Sequence, residues 1–165
     1  MLEFLDQALL AIVFSLFTVA AVSDARTMRI PNWISVAIVG AFAVRAAVSP
    51  ETFQWTDLAL GAGVFAIGFV FYALKGFGAG DVKLATAGAL WFGAAQTSDF
   101  LAVMALVGGA LAILILVANH MAAFHRILRF AVPALERTKS VPYGIAIAAG
   151  AYFALFQQAN AWGIV

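Results

Sequence analysis

Apolar residues fall into six runs separated by short polar connections, over roughly 5–22, 33–48, 58–74, 82–96, 100–118 and 143–162. A helix needs about 20 residues to cross a bilayer, with a range near 17–25, so the runs predict six transmembrane helices, most adequate or slightly short. The separators agree: Pro31-Asn32 before the second run, Ser49-Pro50 after it, and Thr97-Ser98-Asp99 between the fourth and fifth. Asn32, Asp57 and Ser98 or Asp99 are candidate N-caps. Glycines recur within the runs, at Gly61, Gly63, Gly68, Gly88, Gly93, Gly108, Gly109, Gly144 and Gly150. They predict close helix–helix packing, which in lipid depends on small residues. The longest connection, 119–142, places Phe124, Ile127, Leu128, Ala131 and Leu135 at helical spacing with Arg126, Arg129, Glu136 and Arg137 between them. This predicts one amphipathic segment on the inner leaflet.

Charge orients the set. Arg26 and Arg29 lie in the first connection, Lys75 and Lys83 around the third, and Arg126, Arg129, Arg137 and Lys139 in the fifth. The amino end and the second and fourth connections carry Glu3, Asp6, Glu51, Asp57 and Asp99 but no Lys or Arg. The positive-inside rule puts connections one, three and five in the cytoplasm and both termini outside. Arg45 is the exception, near the outer end of the second helix, where it can snorkel.

Composition supports a membrane protein of one domain spanning residues 1–165. The chain is 65% hydrophobic and 10% charged with a mean hydropathy of +1.03, against roughly 45–50% and 25% in soluble domains. The net charge of +1 points to no nucleic-acid partner. There is no cysteine, hence no disulfide, thiol nucleophile or Cys-ligated metal. His120 and His125, five apart, fall on different sides of a helix, so neither a metal nor another cofactor is expected. The acidic leading segment, with Glu3 and Asp6, argues against a cleaved secretory signal.

One stretch interrupts this background: Lys75-Gly76-Phe77-Gly78-Ala79-Gly80-Asp81-Val82-Lys83. A carboxylate between two long apolar runs is costly at membrane depth, and its default reading is functional. Gly76, Gly78 and Gly80 permit unusual backbone conformations and close approach of another chain. The plain alternative is a turn whose Asp caps the next helix. The run 82–96 would be only about 22 Å long, against a hydrocarbon core near 30 Å, which sets Asp81 below the membrane surface. A loop there should line a protein-walled pocket reached by water.

Asp24 is the partner. Asp24 and Asp81 are the only carboxylates in the first and third connections, each where a helix meets the inner boundary. If helices one and four are neighbours, the two converge. Two carboxylates sharing a desolvated site cannot easily both ionise, so the pair holds a single proton near neutrality. The ionised member can take a proton from water while the protonated one polarises a carbonyl. Ser23, Ser35, Ser49, Ser98 and Ser140 lack an evident base, leaving no competing catalytic set.

At these residues the chain resembles the type IV prepilin peptidases, which belong with presenilin, signal peptide peptidase and archaeal preflagellin peptidase among GxGD-type intramembrane aspartyl proteases. Gly78-Ala79-Gly80-Asp81 matches GxGD, with the prepilin-branch extension Val82-Lys83-Leu84. Asp24, Arg26 and Ile30-Pro31-Asn32 match the region of the first catalytic Asp, and Val141-Pro142-Tyr143-Gly144-Ile145-Ala146 the start of the last helix. The resemblance spans roughly residues 24–150. It implies an aspartic endopeptidase with Asp24 and Asp81 as the catalytic pair, and Gly78, Gly80 and Lys83 as loop-forming or substrate-binding residues. The implied substrates are prepilins or pseudopilins, whose short basic leader is cleaved, typically after a Gly, at the cytoplasmic face of the bacterial inner membrane. On that implication the outside termini are periplasmic. The paired cysteines and amino-terminal cytoplasmic region of the long bacterial members, associated with N-methyltransferase activity, have no counterpart here. The match is therefore closest to the compact peptidases of tight-adherence (Flp) pilus systems, and methylation is not expected.

Lys83 and Arg26 lie two residues beyond their aspartates and could tune them or meet a substrate; positive-inside anchoring accounts for both as well. Trp33, Trp55, Trp91 and Trp162 are read as interfacial. Two other functions fit parts of the pattern. In a small transporter or channel component the aspartates would be proton or cation sites, although no midplane charge completes a path across. An inactive pilus-assembly protein would not need them.

Overall fold

The computed structural model describes residues 2–50, 53–120 and 141–163, all of whose elements are helices. They are α1 (Leu2–Thr27), α2 (Asn32–Val48), α3 (Trp55–Ala73), α4 (Ala79–His120) and α5 (Tyr143–Ala161). Phe4–Thr27, Trp55–Ala73 and Ala79–Val117 are long and apolar enough to cross a membrane, and Asn32–Val48 is a shorter apolar helix. The predicted amphipathic segment falls largely in 121–140, outside the described residues.

Six apolar runs become five helices because the fourth and fifth belong to one element. α4 breaks at Gly93, whose φ of 57° and ψ of −159° are non-helical, a conformation that glycine adopts without a Cβ penalty. The two arms fold back on each other. Thr97 Oγ1 donates to the Ala89 carbonyl at 3.2 Å, and the Phe100 ring lies 5.1 Å from that of Phe92. Tyr143 of α5 lies against Phe77 and Gly108, whereas Gln158 at its other end meets Trp91. The arm 79–92 is thus parallel to α5 and the arm 94–120 antiparallel to it. The turn lies at Gly93, and Thr97, Ser98 and Asp99 are already helical.

A break inside an apolar bundle exposes carbonyls of one arm and N–H groups of the next, which need partners. Thr97 serves the first set. Asp57 serves the second: its Oδ1 accepts from Ala94 N–H at 3.2 Å and its Oδ2 from Gln54 N–H at 3.3 Å. Asp57 is therefore the third residue of α3 in a capping box with Gln54, rather than the N-cap itself. It is 7% exposed, and a side chain at Gly93 would collide with it. Asn32, the other predicted cap, is the first residue of α2; Pro31 precedes it and no side-chain cap forms.

α5 packs on both α4 and α1, α2 on α1 and α4, and α3 on α4. Small residues set these distances. A methyl at Gly150 would strike the Phe100 carbonyl, and one at Gly61 the Leu90 side chain. Phe17, Ile34, Ile38, Leu84, Trp91, Phe100 and Ile147 fill the centre, all less than 2% exposed. Trp91 is thus a core residue, not an interfacial one: its indole N–H donates to Gln158 Oε1 at 3.0 Å, giving a buried polar group its partner. Trp33 and Trp55 remain exposed. Arg45 reaches toward the two ends of the chain. Its guanidinium lies 4.5 Å from the Trp162 ring centroid and 5.7 Å from that of Trp91, with Nε 4.0 Å from Asp6.

Asp57→Ala removes the acceptor of Ala94 N–H at the α4 reversal and of Gln54 N–H at the start of α3, and a donor left unpaired inside the bundle costs about 1–3 kcal/mol. The expected result is a lower thermal midpoint in detergent, with Asp57→Asn recovering part of it; an unchanged midpoint for Asp57→Ala would contradict this role.

Candidate active site

α1 ends in a left-handed cap. Met28 has φ 54°, and its N–H donates to the Asp24 carbonyl at 2.8 Å, closing the helix in the single-bond αL pattern. The connection is then tied down by Ser23 Oγ, which donates to the Arg29 carbonyl at 2.7 Å. Asp24 therefore sits in the last full turn of α1 with its side chain turned inward, 5% exposed.

Its partner comes from α5. Pro142 is the N-cap of that helix, and Gly144, two residues on, presents one of the N–H groups that a helix start leaves unpaired. That N–H donates to Asp24 Oδ2 at 2.8 Å, a buried bond across 120 positions of sequence. Only glycine fits there, since a methyl on Gly144 would lie 2.7 Å from Asp24 Cβ and 2.9 Å from Oδ2.

Asp81 is held by the same device at another helix start. α3 ends in a Schellman arrangement in which Gly76 N–H donates to the Phe71 carbonyl and Lys75 N–H to that of Tyr72. Lys75 takes the left-handed conformation, φ 61°, while neither Gly76, Gly78 nor Gly80 has a positive φ. The glycines of this loop thus serve close approach, not unusual conformation. Gly78 N–H donates to Asp81 Oδ2 at 3.0 Å, the reach-back of an N3 carboxylate. Gly80 stands against the connection between α1 and α2, where a methyl would lie 3.1 Å from Ile30 Cβ.

Both carboxylates occupy one end of the bundle, and the charge of Asp24 acts on Asp81. α1 reaches α4 through side chains, the Phe17 ring lying 6.2 Å from Phe92; α1 packs its backbone on α2 and α5 instead. Each aspartate has one oxygen held by a glycine N–H. Among the described residues, the other oxygen takes no protein hydrogen bond. Lys83 is not part of this arrangement. It is exposed, and its Nζ donates to Asn32 Oδ1 at 3.0 Å, linking the first turn of α4 to the start of α2.

The residues before the two glycines also meet. Phe77 precedes Gly78 and Tyr143 precedes Gly144, and their rings pack edge to face with centroids 4.8 Å apart. Sequence reasoning placed Gly144 and Tyr143 only at the start of a helix. The available signal was a glycine just after a proline N-cap, where free N–H groups collect.

The sequence model of the type IV leader peptidase family matches residues 11–117, which include both aspartates. No curated protein and no solved structure matches the chain. With a peptidase family shown, the geometry makes a direct prediction. Gly144→Ala should displace the Asp24 carboxylate and lower peptidase turnover by about 100-fold, the penalty for misplacing a reacting group by an ångström. The thermal midpoint should fall as well, because the displaced bond joins α1 to α5; turnover per folded protein within twofold of the parent would rule out this role.

Proposed function

We propose that this chain, which belongs to the type IV leader peptidase family, is an aspartic endopeptidase that cleaves prepilin or pseudopilin leaders, with Asp24 and Asp81 as its catalytic pair. The supporting observation is the placement of two carboxylates at one end of an apolar bundle, each fixed through one oxygen by a glycine N–H at a helix start. Fixed orientation with one oxygen left without a protein partner is what a general acid–base pair requires.

In this mechanism the pair holds one proton. The ionised carboxylate takes a proton from a water molecule, whose oxygen attacks the scissile carbonyl carbon. The protonated carboxyl donates to the carbonyl oxygen. The first carboxyl, now protonated, then donates to the departing amide nitrogen as the C–N bond breaks, and the second, now ionised, takes a proton back from a hydroxyl of the tetrahedral intermediate, leaving a carboxylic acid, an amine and the pair in its starting state. The oxygens held by Gly78 and Gly144 keep both carboxyls oriented throughout, so little reorganisation accompanies attack.

The antiparallel arms of α4 support the proposed topology. They allow six membrane crossings from five helices, with both termini outside, in the periplasm, and the aspartates at the cytoplasmic side of the inner membrane. The arm from Asp81 to Gly93 is only about 20 Å long, consistent with an aspartate recessed from the surface. Arg26 and Arg29 lie at the same end as the pair, as the positive-inside rule requires. Flp-type prepilins are the substrates proposed from the resemblance carried by Asp24 and Gly78–Asp81. The Lys83–Asn32 bond supports positioning of the GxGD turn, not contact with the scissile bond.

Asp24→Asn and Asp81→Asn should each reduce leader cleavage by at least about a thousandfold, since the two act as a unit, while the protein stays inserted. This is checked by following leader mass on a co-expressed prepilin. Normal processing by either variant defeats the mechanism, and proton flux in liposomes without cleavage would favour a transport function. The parent should show a bell-shaped pH profile, losing the ionised base at low pH and the protonated acid at high pH; a profile with one limb would exclude a pair sharing one proton.

A further inference from the structure

The two candidate catalytic carboxylates are held by different turns. Asp24 accepts from Gly144 at the start of α5, and Asp81 accepts from Gly78 just before α4. Neither bond fixes one turn against the other. Among the described residues, no hydrogen bond or ion pair joins the two turns. The spacing of the carboxyl groups is therefore the spacing of the turns that carry their donors.

Phe77 and Tyr143, the chain neighbours of the two donor glycines, close that gap. Their ring centroids lie 4.8 Å apart with the planes at 70°, the edge-to-face arrangement that ring quadrupoles favour. Each ring is also held by another helix. Phe77 lies 5.4 Å from the ring of Phe71, near the end of α3. Tyr143 lies against Gly108 on the second arm of α4, where a methyl would sit 3.3 Å from its ring. Glycine at 108 thus leaves room for the tyrosine. A row of contacts, Phe71–Phe77–Tyr143–Gly108, runs from α3 across both turns to α4.

We propose that Phe77 and Tyr143 are positioning residues that set the separation of Asp24 and Asp81, acting through Gly78 and Gly144. The assignment rests on the peptidase function proposed above. A pair that shares one proton depends on its spacing, and misplacing a reacting group by an ångström costs about 100-fold. Side chains locked by packing around the reacting groups are what hold such a tolerance. The other charged groups of these connections are placed differently. Arg26, Arg29, Lys75 and Lys83 are exposed, Lys83 is tied to Asn32, and the charge acting on Asp81 is that of Asp24.

Cleavage of a synthetic probe, a basic leader and a Gly site followed by a spanning segment of about 20 leucines and alanines, gives the first readout. Phe77→Leu and Tyr143→Leu should each lower kcat per folded protein about 30-fold, with little change in KM. Tyr143→Phe, which keeps the ring, should stay within about threefold of the parent. Because both side chains act through one contact, Phe77→Leu/Tyr143→Leu should fall no further than the weaker single variant. A fall of about a thousandfold, the product of the two, overturns the inference. So does a loss in Tyr143→Phe equal to that in Tyr143→Leu, which would assign the role to the hydroxyl. The substrate-free protein gives the second readout. Infrared titration of the carboxyl bands, assigned with Asp24→Asn and Asp81→Asn, should show two steps belonging to the pair. In Tyr143→Leu the upper step should move toward the lower by about half a pH unit or more; unmoved steps overturn the inference. Moved steps in a protein whose parent cleaves no leader would keep the positioning role and refute the peptidase function.

Discussion

A helix that starts within an apolar bundle leaves N–H groups that lipid cannot satisfy, and this chain answers the requirement with aspartates. Asp24 accepts from Gly144 at the start of α5, and Asp81 accepts from Gly78 at the start of α4. Asp57 accepts from Gln54 at the start of α3 and from Ala94 beyond the α4 break. Three costly carboxylates and a set of orphan donors thus solve each other's problem. The fold depends on these pairings, because they decide where each helix begins and which helix faces which.

The same device serves different ends of the bundle differently. At Asp57 both carboxylate oxygens are engaged, and the Arg45 guanidinium lies in the same cavity between two tryptophans. Such a group is fully committed to holding the reversal. At Asp24 and Asp81 each carboxylate spends one oxygen on a glycine. The half left free is what suits this pair to the catalytic role proposed for it. Glycine at each donor matters sterically: at Gly144 a methyl would occupy the space of the carboxylate itself.

The aromatic pair gives this end its second property. Phe77 and Tyr143 join the two loops that hold the aspartates, so any movement of one loop is felt by the other. They also line an apolar cavity between α3 and α4. α3, packed on α4 alone among the described elements, forms one wall of it. A wall with a single neighbour is the part of the bundle whose displacement breaks the fewest contacts.

Apolar run lengths, the distribution of Lys and Arg, and the spacing of the Asp24 and Gly78–Asp81 motifs are properties of the chain in one dimension. They were enough to read an all-helical membrane protein, to put two aspartates at one end, and to identify the family. Burial in lipid imposes length, and charge asymmetry imposes side, so neither needs knowledge of the packing. Which donor holds each carboxylate was not legible, because Gly144 lies 120 positions from Asp24 and no local pattern links them. The turn was expected at Thr97-Ser98-Asp99 on polarity; it falls at Gly93 because Asp57, from another helix, satisfies the N–H groups after the break. Trp91 and Arg45 looked interfacial by position, but Gln158 and Trp162 draw them inward. In each case the deciding partner comes from a distant helix, and only the assembled bundle brings the two together.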